Sequence, residues 1–83
     1  MPEVTYYVAL PFVLTEDGIV PGEAAECASV RAAILRAEIL SRMEGHSGAV
    51  AFSRTGDPDQ GAYGDPVVLK RFGDIPDDLS MLF

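Results

Sequence analysis

The sequence predicts an α+β domain: a β-β-α-β-β chain in which one helix packs on one face of an antiparallel sheet. Three observations carry that expectation. A β-branched and aromatic run fills residues 4–14, an alanine- and leucine-rich segment follows Ser29, and two further apolar runs flank a stretch dense in turn formers. At 83 residues the chain forms one domain, 1–83, with residues 73–83 as a tail that docks or frays.

The first strand, VTYYVALPFVL, has an even register that is apolar throughout, from Val4, Tyr6 and Val8 to Leu10, Phe12 and Leu14. Side chains alternate across a strand, so these positions are expected to face the core under the helix. Tyr7, Pro11 and Val13 then fall on the open face. Pro11 has no N–H and is expected on an outward edge or at a bulge. Thr15-Glu16-Asp17-Gly18 is a turn in which glycine supplies positive φ. A return strand begins at Ile19 and Val20, breaks at Pro21-Gly22, and resumes within residues 23–27.

Ser29 is the expected N-cap of a helix running to about Glu44, with Gly45 at its end. Glu38 and Arg42 have the i,i+4 spacing of a surface ion pair. Val30, Ala33, Ile34, Ala37 and Leu40 form one apolar stripe, and the alanines let the helix lie close to a sheet. Leu35, Ile39 and Met43 form a second apolar side. A lone sheet does not bury both. Either the tail, with Leu79, Met81, Leu82 and Phe83, folds over the second side, or a second copy or another protein does. Ala49–Arg54 is the third strand, with Val50 and Phe52 inward, and Pro66–Phe72 is the fourth. Residues 55–65 between them read as a long hairpin loop.

Thirteen acidic and six basic residues give a net charge of −7. That field repels phosphate backbones and anionic bilayers, so neither nucleic acid nor membrane is an expected partner. One cysteine forbids an internal disulfide and suits a reducing compartment. No signal peptide or spanning segment is legible, so the expected location is the cytoplasm.

Polar chemistry is densest at Ser53–Asp65. Arg54, Thr55, Gly56 and Asp57 could hold an anion, or the aspartates a divalent cation. A calcium-loop comparison starting at Asp57 fails, with Ala62 at the sixth position and Val68 at the twelfth. Turn formation and local capping are the favoured reading of the same residues. Cys27 and His46 lie at opposite ends of the helix, ~24 Å apart at 1.5 Å per residue, too far for a dyad within one chain and compatible with one only across a dimer interface. The carboxylate pairs Glu23/Glu26 and Asp77/Asp78 fall in exposed segments. With a single histidine no Ser-His-Asp set exists, and no glycine-rich loop enters the helix. No metal site and no cofactor are expected.

At TEDGIVPGEA, SVRAAILRAEIL and AVAFSRTGDPDQGAYGDPVVLKRFGDIPDDL the chain resembles small bacterial proteins of unknown function that share a TEDG turn, an alanine-rich helix and an FSRTGDP segment. The resemblance spans nearly the whole chain. It implies the β-β-α-β-β layout and brings no catalytic residue. The expected function is a non-enzymatic interaction or regulatory module, self-associating or binding a protein. The alternative is a small-ligand or anion binder using residues 53–65.

Overall fold

The computed structural model describes residues 3–57, 59, 61–64 and 66–76, with residue 62 described by its backbone. Asp65, the Asp77/Asp78 pair and the tail residues Leu79, Met81, Leu82 and Phe83 lie outside the described residues. The elements are β1 (Val4–Thr15), β2 (Gly18–Pro21), β3 (Ala25–Cys27), α1 (Val30–Ser41), β4 (His46–Asp57), β5 (Ala62–Tyr63) and β6 (Val67–Gly73). Among the described residues, six strands form one antiparallel sheet. β2 and β3 pair with one side of β1, β4 with the other, and β5 and β6 share the far side of β4. The α+β class, with one helix on an antiparallel sheet, is as the sequence predicts.

The β1–β2 hairpin closes as expected. Thr15 pairs with Gly18, whose φ is +116°, and the Thr15 hydroxyl accepts from Asp17 N and donates to Gly18 O. Pro11 is not on an edge. β1 runs through the middle of the sheet, with Pro11 opposite Ala49 of β4. Its carbonyl accepts from Gly22 N at 2.8 Å. In an antiparallel strand the N–H and C=O of one residue point the same way. The missing donor therefore faces the gap between β2 and β3, where the ladder is already interrupted.

Ser29 caps α1, its hydroxyl accepting from Ala32 N at 3.1 Å. The helix stops at Ser41, three residues short of the expected Glu44. The Leu40 carbonyl is taken by Met43 N at 3.2 Å and by His46 Nδ1 at 2.6 Å, so the last turn closes around it. Gly45 then turns the chain with φ +87°. Glu38 and Arg42 pair at 2.9 Å on the surface, where such pairs contribute little.

The expected orientation of the sheet is reversed. α1 packs on the odd register, not the even one. Ala33 and Ala37 of the helix meet Ala9, Ala49 and Ala51 of the sheet, all five fully buried, with Tyr7, Ile34 and Leu40 around them. Val30, expected in the buried stripe, is exposed. The large even-register side chains Leu10, Phe12, Val50 and Phe52 form a second cluster on the opposite face, with Val8, Ile19 and Ile75 against it. The physical reason is complementarity of size: a helix presenting alanines makes most van der Waals contact with a sheet surface that is also alanine.

A glycine pair brings Ile75 onto that second cluster. Gly48 of β4 lies opposite Gly73 of β6. Gly73 has φ +68°, and a Cβ on it would approach Ser47 O to 2.6 Å. A Cβ on Gly48 would crowd the Phe72 carbonyl and the Asp74 backbone. With neither present, the chain leaves the β6 edge and is pinned by Asp74 N to Ser47 O at 2.9 Å and Ser47 Oγ to Asp74 O at 3.0 Å.

Candidate functional site

The face of the sheet away from α1 carries an open groove of about 420 Å³. Its floor is Val8, Leu10 and Phe52, from the even registers of β1 and β4. Ala24 and Glu26 line its β3 flank, and Tyr6, Arg54 and Tyr63 close one end.

Strand register fixes these positions. Val8 lies opposite both Glu26 and Phe52, and Tyr6 lies opposite Arg54. Cross-strand partners share a face. The floor is therefore a row running Glu26–Val8–Phe52, with Tyr6–Arg54 as the next row along. β5 adds Tyr63 by pairing it with Gly56. The Tyr6 and Tyr63 rings are tilted at 52° with centroids 6.0 Å apart. The Arg54 guanidinium carbon stands 5.3 Å from the Tyr63 ring centroid, and Arg54 Nε donates to Gly64 O at 3.3 Å. Ring face and carbonyl together hold the guanidinium plane. A hydrogen bond to Tyr63 raises the Tyr6 pKa above the ordinary tyrosine value, and burial and the nearby Glu26 charge push the same way.

The four residues singled out at positions 54–57 do not converge. They are strand, not loop: β4 continues to Asp57, paired with β1 as far as Val4↔Gly56. Arg54 faces the groove. Thr55 faces the opposite side, its hydroxyl 2.8 Å from that of Thr5. Gly56 is held in register between Val4 and Tyr63. Asp57 Oδ1 accepts from Asp59 N at 2.9 Å in a local turn. The sequence does not mark Tyr6 or Tyr63 as site residues, and it offers Glu26 only as half of an exposed carboxylate pair. Tyr6 and Glu26 follow once β1 is paired with β3 and β4. Tyr63 sits among turn formers with no periodicity to betray it.

Leu35 and Ile39 on α1 and Met43 just past it are each half or more exposed, at 51%, 58% and 50%. Cys27 lies opposite Tyr7 and His46 opposite Val13, six residues along β1 or about 20 Å at the rise of a strand. Among the described residues no group of three His, Cys, Asp or Glu side chains could hold a metal ion. No helix among them is long and apolar enough to cross a membrane.

The chain matches no family model, no curated protein and no solved structure.

Proposed function

We propose that this chain is a non-enzymatic binding module that takes a small organic ligand in the sheet-face groove, in a cytoplasmic setting and without nucleic acid or membrane as partner. One observation carries the reading: an apolar floor of Val8, Leu10 and Phe52 ends at a positioned cation and two phenols, Arg54, Tyr6 and Tyr63. Concave sites with apolar walls and a few convergent polar groups are where small ligands bind. A non-catalytic role is favoured because Cys27 and His46 stand far apart and His46 Nδ1 is engaged by the Leu40 carbonyl. The test is a titration of the labelled chain with octanamide, a neutral amphipathic probe, followed by amide chemical shifts. Perturbation centred on Tyr6, Val8, Leu10, Phe52 and Tyr63 is expected. Shifts confined to other surfaces would refute the reading.

A second reading, self-association or docking of a protein through α1, is favoured by the exposure of Leu35, Ile39 and Met43 along one side of the helix. Sedimentation equilibrium decides the self-association version. A concentration-dependent dimer abolished by Ile39→Glu is expected, and a strict monomer at high concentration sinks it.

A further inference from the structure

We infer that the groove selects an amphipathic monocarboxylate, with the carboxylate on Arg54 and the apolar body along Val8, Leu10 and Phe52, flanked by Glu26. This rests on the ligand-binding reading above and adds the chemical class. Among the described lining residues Arg54 is the one cation, and the only ion pair among the described residues, Glu38–Arg42, is on the helix. Its Nε is spent on Gly64 O and its plane is set by the Tyr63 ring. That leaves the terminal N–H groups as a preset fork, the geometry that receives a carboxylate through two parallel hydrogen bonds. Tyr6, paired across the ladder with Arg54 and with its ring 6.0 Å from that of Tyr63, stands beside that fork as a neutral phenol.

The β3 flank of the groove sets the limit on charge. Glu26 is two strands and two residues away from Arg54, about 12 Å at the backbone from a strand spacing of ~4.8 Å and a rise of ~3.3 Å. A second anionic group carried along the floor past Val8 meets a like charge on that flank. From the Tyr6 row to the Leu10 row the floor runs four residues, about 13 Å, which accommodates an extended eight-carbon chain. The groove is thus cationic at the Tyr6–Arg54 row, apolar along its floor to Leu10, and anionic on the β3 flank beside Val8. One carboxylate with a hydrocarbon body satisfies all three parts.

The experiment compares octanoate, octanamide and suberate (the eight-carbon dicarboxylate) binding to the full chain by amide shift titration. Octanoate is expected to bind about tenfold or more tighter than octanamide, the gain of a charge-assisted pair, and severalfold tighter than suberate. Arg54→Gln should bring octanoate and octanamide to within about twofold. Arg54→Lys keeps the charge without the fork and should retain part of the preference. Glu26→Gln, which leaves Arg54 untouched, should improve suberate. Equal binding of octanoate and octanamide to the native chain overturns the monocarboxylate assignment and leaves the binding-module reading intact. A preference unchanged in both Arg54 variants overturns it as well. If neither probe perturbs the groove, both readings fall.

Discussion

Replacing Ala51 with leucine tests which face of the sheet carries the helix. Ala51 is fully buried on β4, paired with Ala9 and Lys70, and belongs to the cluster in which Ala33 and Ala37 press on the sheet. Leucine adds three carbons. If room existed, burying them would stabilise the fold by about 0.8 kcal/mol each, or ~2.4 kcal/mol. No room exists between five alanines that are each fully buried. The helix must lift or the leucine must leave its rotamer, so the expected result is destabilisation by ~1–3 kcal/mol. For 83 residues a total stability of roughly 4–12 kcal/mol is expected, so the loss is a sizeable fraction. At about 4–8 °C per kcal/mol the melting temperature should fall by at least ~4 °C. Thermal and urea unfolding followed by circular dichroism reads both quantities. Leu35→Ala on the exposed side of α1 is the control, within about 0.5 kcal/mol of native. If the large even-register side chains faced the helix instead, Ala51 would lie on the open face and leucine there would be neutral or favourable. That outcome refutes the packing argument.

Gly48→Ala should destabilise by about 1–3 kcal/mol and strip amide protection from β6 first, because the new Cβ collides with backbone at Phe72 and Asp74 rather than with a side chain that can swing away; hydrogen exchange and urea midpoints check it. His46→Ala removes the 2.6 Å contact to Leu40 O and should cost about 1 kcal/mol, with faster exchange in the last turn of α1 and little change in the strands. Tyr6 should titrate above the ordinary tyrosine value of ~10, since its hydrogen bond to Tyr63, then burial, then nearby negative charge all favour the neutral phenol. The raised pKa means the fold holds the neutral form preferentially. That contribution is complete below the unfolded value and is lost as pH rises through the folded one. Phenolate absorbance against pH, native beside Tyr6→Phe, should lose one alkaline transition in the variant. A Tyr6 ionising at or below the ordinary value would contradict the assignment.

Most local structure was legible because it is encoded locally. Ser29 before an alanine-rich run, Gly18 closing a two-residue turn and Gly45 after the helix each act through their own backbone. The resumption of a strand near Ala25 is visible in the alternation around the Pro21-Gly22 break. Which side of the sheet received the helix was not legible from period-two alternation. Alternation shows that Leu10 and Phe12 share a face and that Ala9 lies on the other; it carries no information about which face the helix covers. The available signal was size. Ala33 and Ala37 recur at helical spacing, and Ala9, Ala49 and Ala51 recur at strand spacing, so matching small to small would have oriented the layers. The groove was hidden for a related reason. Arg54 stood out as a lone cation near glycines, but its neighbours Tyr6, Glu26 and Tyr63 come from three other strands. Only the registers bring them together. Thr55, Gly56 and Asp57 adjoin Arg54 in sequence, yet alternation and the ladder put them to other uses.

The net charge and the Arg54 site act at different ranges, and this bears on the class of ligand. A charge of −7 spread over the chain produces a diffuse repulsion of anions. At physiological ionic strength such a field decays over ~8 Å. A bidentate contact to a guanidinium is made at about 3 Å, inside that distance and beside a ring that excludes part of the solvent. A polyanion gains one such contact while its remaining charges stay in the repulsive field, and residues 1–30, which contain five acids and no Lys or Arg, supply much of that field. The proposed monoanion would lie wholly within reach of Arg54 and add the burial of its hydrocarbon on Val8, Leu10 and Phe52. An acidic surface that would discriminate against phosphate backbones would thus leave the proposed monocarboxylate with the favourable balance. Helix placement completes the reasoning: because alanines on both sides let α1 dock on the odd face, the larger even-register side chains are left as the floor of the groove rather than being consumed in the helix interface.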